Sequence, residues 1–344
     1  MTAKINKVLP AAAVPGGEVI ISCENFDASN FRICKALFGS SQGRIISAST
    51  KRVIVAAPEA QQLEDCVSGL KLCVGNQESN TVDFKLGEKL ADSLHPVTNP
   101  AFDPDTGNIY ATLSGSRGQK VPVSVWKISP KGETTPFLSN VVNPTGIAFD
   151  PDGTMYVSSR HDSNVYCISP FKEAEPFAKN LGIATGIAFD KLGNLYVGDR
   201  QGNVYQVSKK GVVTTFATLE PSVSAYHLAF GPDDYLYVTG PTASSYESIS
   251  RISPTGDASL FYSGLGRPQG LAFDIDGNLY VAASLYGHRG IVKITPDKQS
   301  ELFIAGNSLV GLAFDDSGHI ITASTSEIHR VALGIKGYLI SNLS

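Results

Sequence analysis

The sequence predicts an all-β protein, a small N-terminal β-sandwich followed by a six-bladed β-propeller. Three observations predict it. First, the phrase Gly-[Ile/Leu]-Ala-Phe-Asp recurs at Gly146–Asp150, Gly186–Asp190, Gly270–Asp274 and Gly311–Asp315. Second, looser copies centre on Phe102 and Phe230, so six phenylalanines stand 47, 40, 41, 43 and 41 residues apart. A period near 40 built from short strands is the pattern of four-stranded blades set around a channel. Third, residues 1–85 lack the phrase and carry short alternating runs instead, such as Glu18–Ser22, Arg52–Ala56 and Leu70–Val74. These runs are broken by turn residues at Pro15-Gly16-Gly17, Phe38-Gly39-Ser40 and Gly75-Asn76, as in a sandwich of short strands.

Each propeller repeat supplies four strands. In the second copy the inner strand, Gly146 to Asp150, turns at Pro151-Asp152-Gly153. Met155–Ser158, Asn164–Ile168 and the stretch around Phe177 follow, with the period-two alternation of half-buried strands. One blade cannot bury both of its faces, so copies must pack side by side. Ring closure follows from spacing. The outer aromatics Phe137, Phe177 and Phe261 each lie 12 residues before the next inner phenylalanine, and 12 before Phe102 is Leu90. Residues 86–95 therefore read as the outer strand of blade 6, which divides the chain into 1–85 and 86–344. A competing count places Ile340 in that role, nine residues after Val331. The recurrent Asp-x-x-Gly-Asn slot reads as hairpin chemistry rather than a calcium loop.

Bulk properties narrow the function. The chain has 344 residues, more than one typical domain. Its net charge of −4, with no basic run, argues against nucleic acid as a partner. No stretch reaches the ~18 apolar residues of a membrane span. The start, Met1-Thr2-Ala3-Lys4, has no signal-peptide core; as written this reads as cytoplasmic, and as exported if a leader was trimmed. Five cysteines, Cys23, Cys34, Cys66, Cys73 and Cys167, show no CxxC spacing; they read as buried thiols or as one bridge among the first four.

Two resemblances sharpen this. Ile5–Pro10, Pro15–Ile21, Asn25-Phe26, Phe38-Gly39 and Ser79–Phe84 resemble the immunoglobulin-like IPT/TIG domains. That implies a spacer or docking module with a protein partner; a DNA-binding role would need a basic loop, and none is present. Pro144–Asp150 and Asp276–Ala282 resemble NHL-repeat and gluconolactonase-like six-bladed propellers over about residues 88–331. The lactonase-like relatives hold one divalent metal at the axis through a Glu, an Asn before an inner-strand Gly, and an Asp ending a second strand. Here the Asn slot holds Thr145, Thr185 and Gln269, the first blade has no Glu, and only Asp199 matches.

Departures from the repeat mark candidate site residues. Three positions before each inner phenylalanine stand Asn99, Gly146, Gly186, His227, Gly270 and Gly311. Asn99 and Tyr226-His227 replace the small residues and point to one channel mouth. His227 reads either as a hydrogen-bonded structural imidazole or as a ligand or metal contact, with Asp199 as the other metal candidate. Loops around the same mouth bring Arg160, His161, Arg200, Tyr246, Glu247, Tyr286, His288, Arg289 and Glu327, and the connections between blades bring Arg267 and Gln269. For each of these a solvated rim is the plain alternative. Together they are the residue types that hold a small molecule, glycan or peptide. His288-Arg289 could hold a carboxylate or phosphate, and Glu247 could act as a base. The leading expectation is a non-catalytic binding protein. The alternatives are a metal-dependent hydrolase or lyase of the gluconolactonase-like group, with Asp199, His227 and Asn99 as a rearranged axial site, and a purely structural assembly component.

Overall fold

The computed structural model describes residues 3–60, 63–66, 69–243 and 247–340. The N-terminal segment forms the strands β1 (Lys4–Leu9), β2 (Ala12–Ala13), β3 (Glu18–Glu24), β4 (Cys34–Phe38), β5 (Ser41–Ala48), β6 (Arg52–Ala56), β7 (Leu70–Val74), β8 (Gln77–Glu78), β9 (Lys85–Leu86) and β10 (Glu88–Ala91). Alternation drives them: in β3, Val19, Ile21 and Cys23 are buried while Glu18 and Glu24 are exposed. The pairing departs from the two separate sheets expected for residues 1–85. Seven strands join in one sheet, β1-β3-β6-β5-β4-β7-β8. The reason is β5, which pairs with β4 through Ser41–Gly43 and with β6 from Arg44 onward. The sheet curls around Phe26, Phe38 and Leu72, and Asn80 pins its first edge with hydrogen bonds to Ile5 N (2.8 Å) and from Asn80 Nδ2 to Ile5 O (3.1 Å). An immunoglobulin-type sandwich is not shown by this pairing. All five cysteines are free thiols.

The remainder is a β-propeller. Five self-contained four-stranded blades are present. The expected count of six such blades is corrected at the fifth repeat. Its strands Leu271–Phe273, Leu279–Leu285, His288–Ile294 and Ser300–Ala305 belong to a larger sheet that continues through β2 and β9. Ala13 pairs in parallel with Ala305, and β9 pairs in parallel with β2. The outer edge of this repeat is thus covered by the N-terminal segment, as sheet edges in soluble proteins usually are. In the last blade, β10 pairs antiparallel with Ile328–Ala332 and is the outermost strand. Arg330 fastens this pair: its Nε and Nη2 donate to Glu88 Oε2 at 3.0 and 2.7 Å. Gly337–Ile340 lies elsewhere, with Gly337 bridging Asp274 and Tyr338 N donating to Phe273 O at 2.8 Å.

The recurrent phrase has a packing cause. In five repeats the tyrosine of the second strand sits edge-on between an outer-strand phenylalanine of its own repeat and the inner phenylalanine of the next. Tyr156, for example, meets Phe177 at 5.0 Å and Phe189 at 4.9 Å between ring centroids. In the sixth repeat Ile321 takes the tyrosine position and packs with Leu90 and Phe102. The phrase-ending aspartate is a turn residue: Asp150 Oδ1 accepts from Asp152 N (3.0 Å) and Thr154 N (2.8 Å), and Asp274 and Asp315 repeat the pattern. No helix among the described residues is long and apolar enough to cross a membrane.

Candidate functional site at the propeller mouth

The inner strands press together so closely at the axis that glycine is required. A Cβ on Gly186 would strike the Tyr226 carbonyl, and one on Gly311 would lie 2.6 Å from Asn99 Cα. The two larger residues at this level do different things. Asn99 reaches across the axis: its Nδ2 donates to Leu271 O at 2.9 Å and its Oδ1 accepts from Leu312 N at 3.1 Å. It ties the first repeat to the fifth and sixth. His227 is 2% exposed, and neither ring nitrogen has a protein hydrogen-bond partner among the described residues. Burial lowers its pKa to about 3, so the ring is neutral. A cavity of about 40 Å³ adjoins it, lined by Thr98, Asn99, Ile147, Ile187 and Leu228.

An axial divalent metal does not fit these residues. Such an ion needs several converging oxygen or nitrogen donors. The Asp199 carboxylate is fully buried and used by its own loop: Oδ1 accepts from Ile183 N (2.8 Å) and Gln201 N (3.0 Å), and Oδ2 from Asn203 Nδ2 (3.4 Å). It makes no ion pair with Arg200. Tyr226 is a plug, its ring abutting Gly198 and Gly240 and its hydroxyl donating to Glu220 O. Among the described residues no group of three or more His, Cys, Asp or Glu could hold a metal. Asp199, expected with His227 as a metal ligand, does not line the cavity beside the His227 ring.

The rim arginines fall into two sets that the sequence could not tell apart. Arg160 Nη2 donates to Ser114 Oγ (3.1 Å) and Gly115 O (3.3 Å), bracing the first repeat. Burial, with Arg200 nearby, lowers its pKa. Arg200 donates to Ser222 O (3.2 Å) and Val223 O (2.7 Å), bracing the connection into the fourth repeat. Arg267 and Arg289 differ. Neither guanidinium has a hydrogen bond or ion pair among the described residues, and both line a cavity of about 340 Å³ between the fifth and sixth repeats.

Local structure explains how this cavity is built. Gly266 pairs with Ser284, and Ser284 pairs with Arg289, so Arg267, just past the strand Leu265–Gly266, and Arg289 stand two strand places apart. That is about 10 Å of backbone separation, within reach of two long side chains converging on one group. Arg267 occupies the position three before an inner glycine. The same position holds Asn143 and Ser308, and all three have positive φ: 47° at Arg267, 46° at Asn143 and 55° at Ser308. Asn143 is suited to it: its carboxamide bonds Gly118 N (2.7 Å) and Gly115 O (2.8 Å). Arginine there carries the backbone strain without the capping, a combination common at functional sites.

The hairpin beside it is also unusual. Strands Leu279–Leu285 and His288–Ile294 run seven residues each, against five in the matching strands of the second repeat. They close through Tyr286-Gly287, with φ of 51° and 86°, as a two-residue primed turn requires. The turn lifts Tyr286 to 87% exposure at the rim of an adjoining cavity of about 330 Å³ that also includes Glu247. Burial raises the Glu247 carboxyl, and Arg267 opposes that shift.

Of the sequence-derived candidates, the structure brings Arg267, Gln269 and Arg289 into one cavity and Glu247 and Tyr286 into the next, with Gly266 and Ser284 shared by both. His161 is exposed, His288 is half-buried in the hairpin, and Glu327 stands 3.6 Å from the buried His329. None of these three lines either cavity. Tyr246 lies outside the described residues. Ser284, Ser308 and Thr325 were not foreseen as lining residues. Ser308 shares the repeat slot of Arg267, and aligning the repeats at that slot would have found it.

No family model and no curated protein matches the sequence. Solved structures do match. A gluconolactonase from Xanthomonas campestris superposes with a TM-score of 0.61 at 16% identity, covering 87% of this chain and 97% of that one. A virginiamycin B lyase from Staphylococcus aureus, solved with quinupristin, gives 0.53 at 16% identity over 87% of this chain and 99% of that one. An auxiliary nutrient-binding protein from Bacteroides thetaiotaomicron gives 0.55 at 14% identity over 96% of this chain and 97% of that one. At these identities the likeness is one of fold.

Proposed function

We propose that this chain is a ligand-binding propeller whose cavity between the fifth and sixth repeats takes a small organic anion. One observation carries the reading: Arg267 and Arg289 line a common cavity of about 340 Å³ with no hydrogen bond or ion pair to either guanidinium among the described residues, whereas Arg160 and Arg200 are engaged by the fold. Unpaired guanidiniums present forked donors matched to carboxylate or phosphate oxygens. Gln269, Ser284, Ser308 and Thr325 offer further polar contacts, and Leu309 and Val310 supply an apolar floor. Binding without turnover is favoured because the Asp199 and His227 side chains lack the partners a metal-dependent lactonase centre needs. The nutrient-binding neighbour, alike over nearly the whole chain, supports the same direction. We read the whole as an NHL-type propeller of six repeats whose N-terminal unit, with its IPT/TIG-like motifs, is a spacer or docking module.

The test is calorimetric titration with a panel of low-mass carboxylates and phosphates, on the wild type and on Arg267→Ala/Arg289→Ala. Two lost charge-assisted hydrogen bonds at ~1.5–3 kcal/mol each predict at least a tenfold weakening. Binding unchanged in the double variant, or no heat and no thermal shift with any anion, would overturn the reading.

A further inference from the structure

Resting on that reading, we propose that the ligand is a zwitterion, held with its carboxylate on Arg267 and Arg289 and an ammonium group beside Glu247 and Tyr286. The two cavities are neighbours, sharing Gly266 and Ser284, and they carry opposite charge: two arginines line one and a glutamate lines the other. Glu247 and Arg267 influence each other electrostatically yet form no ion pair. A site built only for an anion gains nothing from a carboxylate next door, since that charge repels the ligand. A dipolar ligand lying across the shared wall is attracted at both ends.

The surroundings of Glu247 fit a cation. A carboxylate with an aromatic face is a recurrent ammonium site, because the ring's negative face adds to the ion pair. Tyr286 is the aromatic at this rim, and its 87% exposure leaves its face free for a ligand. Its left-handed backbone, φ 51°, stands where a two-residue turn favours asparagine or glycine, so a bulky ring is held there against local preference. Burial disfavours the charged Glu247 carboxylate, and an arriving ammonium restores it. The chemical class is a free amino acid or a short peptide with unblocked ends.

The experiment compares 4-aminobutyrate with butyrate, and a dipeptide with its N-acetylated form, by calorimetry on four proteins. The wild type should bind each zwitterion at least tenfold tighter than its ammonium-free counterpart. Glu247→Gln should erase that ratio, weakening the zwitterions while butyrate binds somewhat tighter because a repelling carboxylate is gone, and Tyr286→Ala should reduce it severalfold. Arg267→Ala/Arg289→Ala should weaken zwitterion and anion alike. Butyrate binding as well as 4-aminobutyrate, together with the acetylated peptide matching the free one, would overturn the zwitterion while leaving the anion site standing. A ratio that survives Glu247→Gln would also overturn it. No binding by any probe would sink both readings.

Discussion

His227→Leu should change the acid stability of this protein in a defined window. The ring is 2% exposed, and burial holds its pKa at about 3 against an ordinary value of 6.5. A base depressed in this way is neutral in the folded chain and protonates on unfolding. Above pH 6.5 both states are neutral and the residue adds no pH dependence. Below that, the unfolded chain binds the extra proton and stability falls, levelling off near pH 3. Between pH 7 and 4.5 the loss attributable to this ring is about 2.5 kcal/mol, from ~1.4 kcal/mol per pH unit. Leucine carries no proton, and its neighbours Ile147, Ile187 and Leu228 are apolar. The variant should match or exceed the wild type at pH 7, since a buried ring without protein partners is removed. Urea unfolding at pH 7, 5.5 and 4.5 should show the two proteins diverging by about that amount as pH falls. His329, also buried and lowered to about 4, titrates in both proteins and cancels in the difference. Parallel curves across the range would refute the assignment of the acid response to the axis.

Two further outcomes test the ring itself. Asn99→Ala should cost about 1–3 kcal/mol, because it leaves the Leu271 carbonyl and Leu312 amide without their partner near the axis. Asn99→Asp, which keeps the acceptor for Leu312 N, should lie between the two in urea midpoint. Arg330→Ala should cost about 1–2 kcal/mol by loosening the β10 pairing, since the Glu88 contact is forked but a quarter exposed. Amide exchange over 88–91 should accelerate before the rest of the last blade does.

The propeller was legible because its stabilising contacts are local in the repeat. The tyrosine that stacks between two phenylalanines appears once per ~40 residues, and the aspartate that bonds two turn amides stands beside the inner phenylalanine. The merging of the fifth repeat with the N-terminal segment was not legible. Its partners are two-residue strands, Ala12–Ala13 and Lys85–Leu86, too short to carry a period; Ala13 meets Ala305 from nearly three hundred residues away, and Lys85–Leu86 joins through Ala12–Ala13. The joining of the N-terminal strands into one sheet was not legible for a related reason. Alternation fixes which face of β5 is buried, but not that one strand will pair with β4 at its start and β6 at its end. Departures from the repeat drew attention to Asn99 and His227, but their contacts depend on neighbours from other repeats. Arg160 and Arg289 look alike in sequence, where each reads as part of the loop between second and third strands; in the structure Arg289 lies inside the strand His288–Ile294. Only the Ser114 hydroxyl and Gly115 carbonyl that hold Arg160, with no counterpart on the Arg289 guanidinium among the described residues, separate a brace from a candidate binding group.

The joining of the fifth repeat to the N-terminal unit bears directly on the cavity. Gly306 and Ser308 line it, and the turn between Ala305 and Ser308 also anchors the other unit. Val14 N donates to Ala305 O at 2.9 Å, and Asn307 Nδ2 donates to Gly16 O at 2.7 Å. On the inner side, Gly306 N donates to Arg289 O at 3.1 Å, tying the turn to the strand that carries a cavity arginine. A single four-residue turn is therefore hydrogen-bonded to the N-terminal unit on one side and to the candidate site on the other. Side chains mounted on such cross-braced strands lose little freedom when a ligand arrives, which is the physical basis of preorganised binding. The long hairpin, the positive-φ rim residues and the added outer strands therefore fall on one repeat, the one that carries the cavity arginines.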